Sequence, residues 1–153
     1  RYQGFDYWQN SVDATRAQRD WSVGLQDEFP QWGLYAWGLT ASDNQAGYNA
    51  HSPTNDLGVI TPTAALSSFP YTPTESIKAM KFFYYKLGDR MWGDYGFYDA
   101  FNPTADWYGR SYLAIDQGPI VVMMENYRTG LLWNLFMSAP EVQQGLTKLG
   151  FQY

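Results

Sequence analysis

Asp116-Gln117-Gly118-Pro119-Ile120-Val121-Val122-Met123-Met124-Glu125-Asn126 is the stretch on which the reading of this chain turns. Proline suits the first position of a helix, where its missing N–H would be unpaired in any case, so Pro119 predicts a helix start. From residue 120 to 136 only Glu125 and Arg128 carry charge, which predicts a helix buried on most of its surface. Asp116 and Gln117 then stand at its mouth, where free N–H groups and the positive dipole end gather. Two readings fit that placement. Asp116 is a helix cap, or it is an acid held at the rim of a buried helix for a substrate.

Downstream, Ser138-Ala139-Pro140-Glu141 predicts the start of an amphipathic helix to Leu149, closed by Gly150 ahead of Phe151. Upstream, Thr72-Pro73-Thr74-Glu75 reads as a capping box with proline at the first helical position. That helix would carry Ile77, Met80, Phe83, Tyr84 and Leu87 on one side, with Gly88 as its C-terminal cap. Thr61-Pro62 opens a short apolar helix, residues 63–68, that Pro70 ends. Residues 10–22 form an earlier helix with Asn10 or Ser11 as cap, broken at Glu28-Phe29-Pro30-Gln31-Trp32-Gly33.

Mostly apolar helices (62–68 and 119–137) thus alternate with amphipathic ones (73–87 and 140–149). Buried inner helices taking turns with half-exposed outer ones is the pattern of a double-layered helical barrel. Some five helices, by this count, are too few to close one. The expectation is an all-α chain that forms part of a barrel and needs more chain, or a partner, to bury its inner face.

Between the helices run long connections, residues 37–61 and 92–116, rich in Gly, Asn, Asp and aromatics, with possible short strands at 95–101 and 110–115. Long irregular connections in a compact domain are usually functional. Seven Trp, thirteen Tyr and nine Phe make 19% of the chain against 16% charged residues, and many lie in these segments. Rings with a polar edge suit surfaces that are half apolar and half hydrogen-bonding, which is the kind of face a sugar offers. A small aromatic core accounts for part of them as well.

Other classes are excluded or disfavoured by composition. With 153 residues the chain is long enough for one domain. A net charge of −5, with six Arg and four Lys scattered, argues against nucleic acid as a partner. No uncharged apolar run reaches the roughly 18 residues that a membrane span requires. Absence of cysteine rules out disulfides, thiolate chemistry and cysteine–zinc sites. No signal peptide is visible and the chain begins at Arg1, so it reads as a mature or internal fragment.

No zincin, P-loop, dinucleotide or nucleophile-elbow pattern is present. His51 has no second histidine, so a metal site would have to be all oxygen; a serine triad would need His51 and nothing supports one, and no metal or cofactor is expected. What remains are carboxylates in aromatic loops: Asp43, Asp56, Asp99 and Asp116. Glycoside hydrolysis needs a proton donor and a second carboxylate that attacks the sugar or activates water, although Asp is also a frequent turn residue. Glu125 and Arg128, three apart on one helix, read as a buried structural ion pair.

Trp37-Gly38-Leu39-Thr40-Ala41-Ser42-Asp43, Gly58-Val59-Ile60-Thr61-Pro62-Thr63-Ala64-Ala65, Trp92-Gly93-Asp94-Tyr95-Gly96-Phe97-Tyr98-Asp99-Ala100-Phe101-Asn102, Ile115-Asp116-Gln117-Gly118-Pro119-Ile120 and Glu125-Asn126-Tyr127-Arg128-Thr129-Gly130-Leu131 occur in this order. Together they resemble the C-terminal part of the glycoamylase-like family, a group of bacterial glycoside hydrolases that contains endo-β-1,2-glucanases and is also met in cyclic β-1,2-glucan synthases. The resemblance runs from about Phe5 to Phe151. It implies the C-terminal portion of an (α/α)6 barrel with long aromatic-rich loops, a cleft at one end, and inverting hydrolysis of a β-1,2-linked glucan. It further implies that residues 1–153 are a partial catalytic domain. The N-terminal helices, with the proton donor, would then lie outside this chain, which alone would be inactive. Among matching positions, Asp116 carries over as a cleft acid, Asp43 and Asp99 as cleft-lining residues that are further catalytic candidates, and His51 and Gln117 as cleft-lining residues that bind substrate. Trp37, Trp92, Phe97 and Trp107 are the rings expected to hold glucose units. A secreted or periplasmic location is the family expectation. The alternative reading is a non-catalytic carbohydrate-binding or assembly subunit that keeps half of the barrel.

Overall fold

The computed structural model describes residues 1–25, 27 and 33–152. The expected break at residues 28–32, including Trp32, lies outside them. Helix α1 runs Tyr7–Gly24. It starts three residues earlier than the pattern predicts because Asp6, not Asn10 or Ser11, is its cap, its side chain accepting from the Gln9 N–H at 3.1 Å. Only Val12 and Ser22 of α1 are buried. Gln18 ties it to the loop beyond, donating to the Leu39 carbonyl at 2.9 Å and accepting from the Leu39 N–H at 3.4 Å.

The first long connection folds a hairpin, β1 Ser42–Asn44 with β2 Gly47–Asn49, in which Asp43 faces Tyr48. Helix α2, Pro62–Leu66, follows, and proline opens it as read. Gly38 lies against its start, accepting the Thr61 N–H at 3.0 Å. Its φ is +138°, and a Cβ there would sit 2.6 Å from the Thr61 carbonyl oxygen, so glycine is required on both counts.

Helix α3, Pro73–Lys81, also starts at its proline, but the capping box is not made. The Thr72 hydroxyl instead lies 3.3 Å from the Ser76 hydroxyl and 3.4 Å from the Ser68 carbonyl. A π-helical turn, Phe82–Lys86, extends α3. The extra residue per turn rotates the register, so Phe83 is fully buried while Tyr84 and Tyr85 face outward, 44% and 74% exposed. The predicted single apolar side is therefore split. Gly88 follows with a φ of +53°.

Two small hairpins complete the second connection: β3 Trp92–Gly93 with β4 Gly96–Phe97, and β5 Phe101–Asn102 with β6 Trp107–Tyr108. The strand expected at 95–101 is divided between β4 and β5, and residues 110–115 form none. Phe101 exchanges backbone hydrogen bonds with Ile60 at 2.8 and 3.0 Å, joining the two connections. Around that junction lies the core: Trp37, Ile60, Leu66, Phe83, Met91 and Phe101 are fully buried. Phe83 packs edge-on against both Phe97 and Phe101, at 6.1 and 5.6 Å between ring centres.

Helix α4 spans Ala114–Thr129, so it begins five residues before Pro119, which lies inside it. The Leu113 carbonyl accepts from Asp116 and Gln117 N–H at 3.0 and 2.9 Å, which starts the helix upstream. Asp116 is consequently in the first turn, not ahead of it. Gly130, at φ +69°, ends α4, and the expected single helix to 137 is two, with α5 covering Leu131–Ser138. The Asn126 side chain bridges the break, accepting from Leu132 and Trp133 N–H at 3.0 Å each. Helix α6, Pro140–Leu149, ends at Gly150 as predicted. The expected burial of this region is not met within the chain: Val121, Leu135 and Phe136 are 68%, 61% and 65% exposed. Glu125 and Arg128 do pair, at 2.7 Å, but at the surface.

Candidate active site

Three aspartates from distant parts of the chain meet where α4 begins. Asp43 comes from β1, Asp99 from the link between β4 and β5, and Asp116 from the first turn of α4. Asp99 and Asp116 are buried, at 2% and 6% exposure, and Asp43 is half-buried. The Asp43 N–H donates to Asp99 Oδ2 at 2.7 Å. Ser111 ties the remainder together, its hydroxyl donating to Asp43 Oδ2 and its carbonyl accepting the Asp99 N–H at 3.1 Å. Asp116 is anchored through its backbone carbonyl, which accepts from the Thr63 hydroxyl of α2 at 2.6 Å.

The electrostatics of the cluster are those of carboxyls short of cations. Burial is the main cause that pushes Asp99 up to about 7, with Asp116 and Asp43 adding to it and the Asp43 N–H opposing it. Burial likewise raises Asp116, the hydrogen bond with Asp99 working against that and the Asp43 charge with it. None of the ion pairs among the described residues reaches these three groups. Neighbouring carboxyls that are both buried cannot both be ionised cheaply, which favours the neutral form of one of them.

Asp116 also borders open space. A cavity of about 230 Å³ is lined by Thr40, Tyr48, Thr63, Ser67, Asp116 and Pro119, among others. Asp99 and Asp43 are not part of its lining. Tyr48, 58% exposed, is the aromatic ring at this cavity. It stands in a loop rich in aromatics, and nothing in the local sequence marks it out.

The remaining predicted residues separate. His51 is buried, neither ring nitrogen makes a hydrogen bond of good geometry, and burial holds its pKa down despite the pull of Asp56. Asp56 accepts from the Gly58 N–H at 2.9 Å, a turn-forming contact apart from the cluster. Gln117 donates to the Phe97 carbonyl at 2.7 Å and so holds the β4 strand to α4. Trp37 is fully buried, a core ring without a face for sugar, and Phe97, 5% exposed, is packed in the core away from the aspartates. Trp92 is 43% exposed, but it lines a different cavity, of about 260 Å³, with Met80, Lys81, Tyr84, Tyr85 and Phe97 and no carboxylate. Trp107 is half-buried on the β5–β6 hairpin. Among the described residues no group of three His, Asp or Glu is arranged to hold a metal ion, and no helix is long and apolar enough to cross a membrane.

The largely helical frame that carries this carboxyl cluster is of the kind found in glucanases of the (α/α)6-barrel type. Residues 1–140 match the family described as "Glycoamylase: Putative glucoamylase", and the chain belongs to it. It superposes with a TM-score of 0.96 and 56% identity on the crystal structure of a "putative glucoamylase" from Bacteroides uniformis, covering 99% of this chain and 37% of that one. With the endo-β-1,2-glucanase of Chitinophaga pinensis, solved with sophorotriose and glucose, the TM-score is 0.95 at 54% identity, over 100% of this chain and 37% of that one. An exo β-1,2-glucooligosaccharide sophorohydrolase of Parabacteroides distasonis is 44% identical over 146 residues, 94% of this chain and 20% of that protein. The chain therefore spans between a fifth and two-fifths of these relatives' lengths, and its helices are part of a barrel of the (α/α)6 type.

Proposed function

We propose that this chain supplies the cleft carboxylate of a glycoside hydrolase that cleaves β-1,2-glucan with inversion. The observation that carries the reading is that Asp116, alone of the three clustered aspartates, lines the open cavity. The names of two of the three relatives, both β-1,2-glucan hydrolases, supply the substrate class. In this reading Asp116 is ionised and takes a proton from a water molecule as that water attacks the anomeric carbon. The leaving oxygen is protonated by an acid carried on barrel helices beyond this chain, roughly 6.5–9.5 Å away so that the water fits between them. The exposed apolar faces of α4 and α5 pack against those helices.

The test uses the complete protein that carries these helices, assayed on β-1,2-glucan. Asp116→Asn is expected to lower kcat by about 10²- to 10⁴-fold, the usual cost of losing a general acid or base. The first-formed sugar, followed by proton NMR, should have the α configuration. Unchanged turnover in the variant removes Asp116 from the chemistry, and a β product overturns inversion.

A further inference from the structure

We propose that Asp99 is a positioning residue for this site: buried behind Asp116 and fixed by the Asp43 amide, it holds a proton against the Asp116 carboxylate and keeps that carboxylate ionised and aimed at the cavity. This rests on the acid–base reading of Asp116. The geometry supports it from three sides. First, Asp99 is tied at both its backbone and its carboxyl, donating its N–H to the Ser111 carbonyl at 3.1 Å and accepting the Asp43 N–H on Oδ2 at 2.7 Å. That leaves Oδ1 as its only free oxygen.

Second, Asp99 Oδ1 and Asp116 Oδ2 are both buried, and among the described residues no donor reaches either. Two such oxygens repel if both carboxyls are charged. One proton between them satisfies both, because a protonated carboxyl donates and a carboxylate accepts. Third, the two members are unequal. Asp99 takes no part in lining the cavity, whereas Asp116 does. Among the described residues, the titratable groups that act on Asp99 are Asp43 and Asp116. Arg110, next to Ser111 in sequence, is turned to the Asp89 carbonyl and the Tyr98 ring. Asp99 therefore has no cation to hold it ionised, and burial favours its neutral form. The hydrogen bond it gives to Asp116 acts in the opposite sense there, favouring the charge. Orienting groups of this kind, one step behind a reacting or ligating residue, commonly cost about 10- to 100-fold when lost.

Two measurements test the proposal. The first needs no activity: the carboxyl carbon of Asp99 is followed by 13C NMR against pH in this chain and in Asp116→Asn. Asp99 should titrate near 7 in the unaltered chain and at lower pH in the variant, whose amide no longer rewards the shared proton. Titration of Asp99 in the ordinary aspartate range in the unaltered chain overturns the proposal, and so does a midpoint that Asp116→Asn leaves in place. The second is the pH profile of kcat/KM on β-1,2-glucan in the complete protein. Asp99→Asn keeps a donor that cannot ionise, so it should retain activity below pH 7 and hold it above, where the unaltered enzyme declines. Asp99→Ala should lose about 10- to 100-fold throughout. An Asp99→Asn profile that falls like the unaltered one, or an Asp99→Ala enzyme with undiminished activity, overturns the positioning role. If β-1,2-glucan is not cleaved at all, the acid–base reading fails, and the NMR titration still decides the shared proton.

Discussion

The irregular half of this molecule is better packed than its helical half. Between residues 36 and 112, loops, hairpins and two short helices contain nearly all of the buried apolar side chains, among them Trp37, Ile60, Phe83, Met91 and Phe101. From Ala114 to Leu149, three helices, the first two rich in apolar residues and the third amphipathic, bury only Asp116 and Asn126, both polar. A helix satisfies its interior backbone hydrogen bonds within itself, so its backbone needs no outside partner, although its apolar face still has to be covered. An irregular segment has to find partners for its backbone and rings, and here aromatic side chains meet one another across hairpins. The helical half is built to be covered, and the acid pair sits on the seam between the two.

That contrast can be broken by mutation. Phe83→Ala, in the buried ring cluster, is expected to cost about 3–5 kcal/mol of unfolding free energy in denaturant titrations of the chain, whereas Phe136→Ala on α5, 65% exposed, should fall within about ±0.5 kcal/mol. Equal costs would mean that the helical half is as well covered as the looped half. Gly38→Ala should destabilise by about 1–3 kcal/mol, because positive φ and the Thr61 carbonyl both oppose a Cβ. Asn126→Ala removes the acceptor for two N–H groups at the start of α5 and should cost about 1 kcal/mol, with α5 amides losing hydrogen-exchange protection first. Arg128→Ala breaks an exposed pair and should cost at most a few tenths of a kcal/mol, about the value of a surface ion pair.

The seam should respond to pH. Asp99 titrates at about 7 when folded and at about 4 when unfolded. Between those values the folded chain binds more protons, so stability falls as pH rises through that window and levels off above it. Asp99→Asn should remove this fall and show its gain in thermal midpoint at pH 8, with little at pH 4. A midpoint difference that is the same at both pH values would show that Asp99 does not hold the proton.

Several features were legible because their causes are local. Pro62, Pro73 and Pro140 each open a helix, since proline fixes its own φ and lacks only an N–H that a first turn can spare. Gly150 ends one, as a residue at positive φ. The same rule misplaced Pro119. The helix there is nucleated upstream by the Leu113 carbonyl, and a single missing N–H did not stop it. Three of the four loop aspartates picked from sequence do converge and Asp56 does not; residue type and loop position supplied no means of sorting them, whereas the family resemblance carried over Asp43, Asp99 and Asp116 and left out Asp56. Rings were sorted worst: Trp37 and Phe97 went to the core, and Tyr48 to the cavity.

By itself, then, the sequence determined the helical segments, most of their ends, and the acids from which a site would be drawn, because caps, prolines and glycines act within one turn of themselves. Only the tertiary structure decided which carboxyls are neighbours and which is exposed. Asp43 reaches Asp99 across 56 residues and Ser111 across 68, and such contacts depend on how the hairpins and α4 pack together. The proton shared by Asp99 and Asp116 exists for the same reason: burial and a second carboxyl create it, and neither is a property of either residue alone.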